Sequence, residues 1–585
     1  MNQETKKCQN CKQEFRIDAE DFVFYEKMKV PPPTFCPECR MMRRMAWRNE
    51  RHLYRRRDEA TGAEIFSGIP ADASLKTYHR DYWWSDAWDP MEYGRDYDFS
   101  RPFFEQFFEL MRAVPWPARN VVNLINTEYA EHAGELKNCY LFFDGDKSEN
   151  CAYAVDAYYE KDSFDVTHVG YNEMSYDSSW LGWCRRAFFS VQCEKCDEVW
   201  FSRNCTGCSD CFGCVNLRNK QYYIFNKPYT KEAYGVFLRD LDTGSYRSLQ
   251  KMWSEVRRVW QAYPYRYMNE SHSVAVSGDY IWSSKNIRDC WNIYEGENLR
   301  FCQYALFGVK DSYDFTNWGD RCELIYESFG IGDGARNVRF CLDCWPAAND
   351  MEYSIRCASS QNLFGCFGLR KKERCILNKQ YSRDEYMALR EKIVQHMSDM
   401  PYTDAKGGVY RYGEFFPPDA SPFSYQDTLA HDFFPLAKDQ TQVRGYVWRD
   451  AKPRDYACTI SAGDLPDHIR DASDVVVKEI IQCLSCDKSY RIISSELDFL
   501  RKMKIPLPRL CPECRYAERV KHRNPPRFYH RACQCTGVGS TNGVYENQTV
   551  HPHGATACSN EFETSFAPDR KEIIYCEGCY NTETV

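Results

Sequence analysis

Near the start of the chain stand Cys8-x2-Cys11 and Cys36-x2-Cys39, and near its end Cys483-x2-Cys486 and Cys511-x2-Cys514. A CxxC pair is a hook, in which the backbone folds back so that both sulfurs reach one ion at about 2.3 Å. Two hooks supply the four thiolates of a tetrahedral zinc site. The later set repeats the earlier one at a constant offset of 475 residues, and Arg16/Arg491, Ile17/Ile492, Lys27/Lys502, Met28/Met503, Pro31/Pro506 and Pro33/Pro508 keep the same step. One module is therefore used twice. It is too short to hold itself together by burial alone, so metal binding would be part of its folding. Iron in the same ligands, or four buried thiols, are the competing readings.

A third group closes the sequence: Cys533-x-Cys535, Cys558 and Cys576-x2-Cys579, with His551 and His553 nearby. A zinc ion takes four ligands. Cys576, Cys579 and Cys558 supply three, and the choice between Cys533 and Cys535 stays open. Three zinc ions are expected in all.

After each second hook the arginines recur at a spacing of four: Arg40, Arg44 and Arg48, then Arg515, Arg519 and Arg523. That spacing puts them on one face of a helix, and a hook that opens a helix points to a treble-clef arrangement. A dense arginine face can grip phosphate oxygens bidentately, which makes RNA, DNA or a ribonucleoprotein candidate partners. The alternative is a helix docked on the acidic middle of the same chain, leaving a protein partner. No catalytic set is found: Walker loop, GxSxG, HExxH and strand-linked GxGxxG are all missing. The acids Asp144, Asp146, Glu149, Asp156 and Asp165 fall at repeat turns, so a carboxylate enzyme working in a solenoid groove is the alternative function.

The elements that must position these groups are legible as repeats. Cys139, Cys151, Ser163, Ser175, Ala187, Val199 and Cys211 are spaced by twelve, and the residues that follow them are mostly aromatic. A small residue followed by an aromatic at fixed period marks stacked short strands, with one or two repeats per coil. A larger duplication places FGCVNLRNKQYYIFNKPY, from Phe212, 152 residues before FGCFGLRKKERCILNKQY, from Phe364, each leading into helical sequence. The expected fold is mainly β with some α: a β-solenoid-like repeat body in two duplicated lobes, flanked by small zinc-ribbon or treble-clef modules. Repeat ends need caps, so the two modules would cap one end each or join into one unit.

The expected segments are a zinc module (1–58), an aromatic, acidic strap with a helix (59–129), the first repeat lobe with its helical arm (130–262), and the second lobe with its arm (263–403). An aromatic strap and linker (404–476), the second zinc module (477–532) and the Cys-rich end (533–585) follow. The run Cys193-x2-Cys196, Cys205-x2-Cys208-x2-Cys211-x2-Cys214 competes with the repeat reading, because ferredoxins hold iron–sulfur clusters with similar spacing. Its cysteines also recur at twelve, as a packed thiol ladder would.

Composition sets the bounds. The chain has 585 residues and a formal net charge of −8, so a uniformly basic nucleic-acid coat is excluded. The opening MNQETKKCQNC has no apolar stretch of a secretory signal, and no run is long enough to span a bilayer, so no membrane association is expected. A cytoplasmic location follows, where the 31 cysteines would be thiols or metal ligands rather than disulfides.

The stretches VPPPTFCPECRMMRRMAWRN, YWWSDAWDPMEYGRDYDFSRPFFEQF, FGCFGLRKKERCILNKQYS and CSNEFETSFAPDRKEIIYCEGCY together resemble a family of large multi-domain zinc-ribbon proteins of uncultured small-genome bacteria. The resemblance runs over nearly the whole chain. It implies that Cys8, Cys11, Cys36, Cys39, Cys483, Cys486, Cys511 and Cys514 are zinc ligands, and it implies no activity.

Overall fold

The computed structural model describes residues 3–170, 179–182, 190–319, 322–450 and 457–584. It is mainly β, with twelve α-helices among the described residues. The chain divides into two compact units, each discontinuous in sequence: 1–119 with 268–450 and 525–528, and 120–267 with 451–524 and 529–585. The expected segments are thus merged. The first CxxC module shares a unit with the second repeat lobe, and the second CxxC module with the first lobe.

In the second unit, the strands Val121–Ile125, Ala130–Lys137, Tyr140–Asp146, Ala152–Tyr158, Thr167–Gly170 and Ser179–Gly182 pair in chain order, all parallel. Tyr140 pairs with Ala152, and Asp197 with Ser209, so each layer of this ladder lies twelve residues from the next. In the first unit a twelve-stranded sheet runs over 270–380, parallel except for its last strand, stepping by eleven (Val274 to Lys285), twelve (Lys285 to Glu297) or thirteen (Tyr313 to Tyr326). One repeat therefore makes one layer. Ser175 and Ala187 of the twelve-residue series lie outside the described residues.

A finer period runs inside each layer. Asn138, Leu141, Asp144, Lys147 and Asn150 all have φ between 48° and 56°, and Asn286, Asp289, Asn292, Glu295 and Asn298 repeat the pattern. Every third residue is left-handed, a conformation most side chains resist and Asn and Asp tolerate best. Each marks a corner of the chain, three residues from the next. The residue after each corner points inward. Cys139, Phe142, Ser148, Cys151, Ala154, Ala157, Ser163 and Val166 are all buried, as are Cys193, Cys196, Val199, Ser202, Cys205, Cys208, Cys211 and Cys214.

Both stacks end alike. Gln221–Ile224 turns back antiparallel on Lys227–Pro228, and Glu373–Ile376 on Lys379–Gln380. In each hairpin an asparagine holds the layer before it: Asn226 Oδ1 accepts from Val215 N at 2.8 Å, and Asn378 Oδ1 from Phe367 N at 2.8 Å. A helix then covers the terminal layer. Ser382 caps Arg383–Asp399 with a reciprocal Glu385 bond, and Thr230 caps Lys231–Asp240, whose Phe237 ring lies 5.0 Å from that of Phe212. The aromatic straps serve as core: Phe103, Phe104, Phe107 and Trp116 from one, and Phe415, Phe416 and Tyr425 from the other, are buried in the first unit.

Candidate metal centres

The first two CxxC hooks are built the same way. Cys8 and Cys11 sit in the turn between the antiparallel strands Glu4–Lys7 and Glu14–Ile17, and Cys483 and Cys486 between Ile481–Gln482 and Ser489–Tyr490. The residue after each hook is left-handed, Lys12 at φ 64° and Asp487 at φ 57°, which closes the turn. The second hooks open helices: Cys36 is the N-cap of Pro37–Met45 and Cys511 that of Pro512–Val520, each with proline at the first turn. Backbone amides therefore face the sulfurs, and Cys36 N donates to Cys8 Sγ at 3.3 Å as Cys511 N does to Cys483 Sγ at 3.2 Å.

Within each set the four sulfurs lie within 4.8 Å of one another. Cys11 and Cys36 are 3.8 Å apart, and Cys486 and Cys511 3.7 Å. The edge of a zinc–sulfur tetrahedron with 2.3 Å bonds is about 3.8 Å. One thiol of each set is drawn toward thiolate, while neighbouring thiols and burial hold Cys36, Cys39, Cys511 and Cys514 up. Burial opposes ionisation of Cys483, but the N–H groups of Cys511, Ser485 and Cys486 bring it down to about 7. The Cys36 and Cys39 thiols lower Cys8.

In the C-terminal group, Cys533, Cys558, Cys576 and Cys579 form a third such set, with Cys558 and Cys576 3.9 Å apart. Cys576 and Cys579 again open a helix, Glu577–Thr584. Of the alternatives Cys533 and Cys535, Cys533 thus belongs to this set. Cys535 lies with His551, His553 and Cys579, a grouping the spacing did not reveal.

The arginines are not where a phosphate-binding surface needs them. Arg40, Arg44, Arg48, Arg515, Arg519 and Arg523 are buried, at 0% to 9% exposed. Asp314 takes Arg40 Nε at 3.0 Å and Arg44 Nη1 at 2.9 Å, while Arg44 Nε donates to Thr316 Oγ1 at 3.2 Å. In the other unit Asp165 takes Arg515 Nη1 at 2.7 Å and Arg519 Nη1 at 3.0 Å, while Arg519 Nε donates to Thr167 Oγ1 at 3.1 Å. The same lock is built twice: an Arg-x3-Arg helix face on an Asp-x-Thr corner of the ladder. Burial opposes the charge of Arg40, but Asp314 together with Tyr25 and Tyr326 outweighs it, so its pKa is raised. Arg48 reaches Glu50 and Asp343, and Arg43 adds Glu327 and Glu414 at 2.6 and 2.8 Å. The expectation that these helices face nucleic acid is corrected accordingly: the helix polar face is the docking face, because the ladder beneath it carries the opposite charge. The modules dock on strands within the ladder, not on its ends as caps.

Of the two readings of the ferredoxin-like run, the geometry favours the packed thiol ladder. Among the described residues, the groups able to hold a metal do not include Cys193, Cys196, Cys205, Cys208, Cys211 or Cys214. Their sulfurs point at carbonyls instead: Cys193 Sγ lies 3.6 Å from Val191 O and 3.5 Å from Ser202 O, and Cys196 Sγ 3.3 Å from Cys205 O. A sulfur can bond a carbonyl only as a thiol, and burial raises Cys193 further from ionisation. The spacing of three is the inward period of the layer.

The acids considered for catalysis lie along the ladder. Asp144, Asp156 and Asp165 are left-handed corners, Asp165 is held by arginines, and Glu149 pairs with Lys137 at 2.7 Å. Burial raises Asp146, and Glu135 adds to it. A cavity of about 10 Å³ beside Trp47, Arg48 and Trp116 holds no more than one water. Among the described residues, no helix is long and apolar enough to cross a membrane.

No family model, curated protein or solved structure matches the chain.

Proposed function

We propose that the protein is a zinc-stabilised scaffold whose two repeat bodies are β-solenoids, each braced on its flank by a treble-clef zinc module, and that it works as a platform for a protein partner in the cytoplasm. The reading keeps the zinc-ribbon kinship that the sequence resembles. What carries it is the duplicated lock, in which a tetracysteine group orients a helix whose arginines are consumed by the corner Asp314 or Asp165 of a ladder. A buried pair of this kind fixes register more than it adds stability, because desolvating the charges offsets much of their attraction. The guanidinium groups are then not free to exchange for phosphate, which favours the platform over the nucleic-acid adaptor.

Fluorescence anisotropy of the full chain with labelled single-stranded RNA and DNA, at low and moderate salt, separates the two. The platform reading expects no salt-dependent binding. Binding whose affinity falls steeply with salt would restore the nucleic-acid function, since such a slope counts phosphates neutralised by Lys and Arg.

A further inference from the structure

Cys535 is completely buried and does not belong to the Cys533, Cys558, Cys576, Cys579 set. Its sulfur lies 3.5 Å from His551 Nδ1 and 3.6 Å from His553 Nε2, and His553 Nε2 lies 3.3 Å from Cys579 Sγ. For a tetrahedral ion with 2.3 Å bonds to sulfur and about 2.0 Å to nitrogen, the S···N edge is about 3.6 Å. These four atoms stand as two thiolates and two imidazoles around one point. Cys579 belongs to both groups.

We infer that the C-terminal module holds two zinc ions sharing the Cys579 thiolate as a bridge, one completed by Cys533, Cys558 and Cys576, the other by Cys535, His551 and His553. This rests on the zinc reading of the module and raises the total from three ions to four.

The surroundings fit. A ligating imidazole usually gives its other N–H to a carboxylate or carbonyl, which fixes the tautomer. His551 faces the ion with Nδ1 and Glu583 Oε1 with Nε2, at 2.9 Å, while His553 faces it with Nε2 and Thr556 O with Nδ1, at 2.8 Å. Glu583 is itself fixed by Tyr545 Oη at 2.7 Å, Gln548 N at 2.8 Å and Thr549 Oγ1 at 2.8 Å. Its side chain is 1% exposed and that of His551 0%, so the carboxylate is buried where a cation would balance it.

The sulfurs are also supplied with donors. Gly537 N and Asn547 Nδ2 each lie 3.3 Å from Cys535 Sγ, Asn560 Nδ2 3.3 Å from Cys576 Sγ, and Cys576 N 3.2 Å from Cys533 Sγ. Charge favours the bridge. Five thiolates against two dications leave one negative charge, where two separate sites would need six thiolates. Loading releases the five thiol protons. The open choice between Cys533 and Cys535 resolves into both, one for each ion.

The test uses the full chain. Zinc per chain is measured by elemental analysis and native mass spectrometry for the wild type and the His551→Ala/His553→Ala variant. Four ions in the wild type and three in the variant are expected. Three in both overturns the second C-terminal ion while leaving the tetracysteine sites standing, and a folded chain with none overturns both. A measurement on the unaltered sequence guards against a variant that fails to fold. In wild-type protein loaded with ¹¹³Cd, two cadmium resonances should show mutual ¹¹³Cd–¹¹³Cd coupling through the shared sulfur. Four uncoupled resonances would overturn the bridge.

Discussion

Asp165 and Asp314 each hold two guanidinium groups while less than a tenth of any partner is exposed. Removing one partner of such a pair leaves an uncompensated buried charge, at a cost of about 3–5 kcal/mol. Asp165→Ala and Asp314→Ala should each destabilise by that amount in denaturant unfolding, whereas Glu64→Ala, which removes the exposed pair with Arg55, should change stability by less than about 1 kcal/mol. Equal small effects would refute the lock. A second residue tests pH. Asp419 is desolvated and faces Asp404, which together push its carboxyl up to about 6. An acid with a raised folded pKa binds its proton more tightly in the folded state, so stability falls as pH climbs from about 4 to about 6 and stays lower above it. Asp419→Asn should therefore raise stability at pH 7 by on the order of 1–2 kcal/mol and flatten the profile between those limits. An unchanged thermal midpoint at pH 7 would contradict that assignment.

At the scale of the element, the ladder is held by stacked corner side chains as well as backbone bonds. Asn126 Nδ2 donates to Asn138 Oδ1 at 3.1 Å, Asn138 to Asn150 at 3.0 Å, and Asn150 to Asp162 Oδ1 at 2.9 Å, each twelve residues on. Asparagine suits both demands, a left-handed backbone and an amide that donates one way and accepts the other. Asn138→Val should cost about 2 kcal/mol or more, from backbone strain and the broken amide row, and Asn138→Gly less, since only the row is lost. If valine proves the milder change, the left-handed corner is wrong. The twelve-residue period and the twin tetracysteine modules were legible in the sequence because identical jobs at fixed steps leave identical residues. The three-residue period was also written there, in Cys205-x2-Cys208-x2-Cys211-x2-Cys214, but metal ligands can share that spacing. The Asp-x-Thr corners at Asp165–Thr167 and Asp314–Thr316 were not legible as partners of the arginines. They lie some 270 to 350 residues away, and nothing local marks an acid as a docking point. The pairing of Cys535 with two histidines was hidden likewise, because its fourth ligand is shared.

For the whole molecule, chain order misleads about which parts fold together. The first tetracysteine module precedes the first lobe in sequence, yet its helix locks onto Asp314 of the second lobe. A Cys36→Ser/Cys39→Ser variant should therefore lose hydrogen-exchange protection over 268–450 and keep it over 120–267, and lost protection in the nearer segment alone would reverse the assignment. The three tetracysteine groups also set how the fold responds to metal, since ligands gathered from separate strands and helices make binding energy part of folding energy. The most direct measurement is zinc content together with circular dichroism of the natively purified full chain, before and after a strong chelator. The account predicts bound zinc in every tetracysteine group, a loss of ordered structure on chelation, and recovery when zinc is returned. A chain that carries no metal, yet gives the same spectrum with and without chelator, would contradict it.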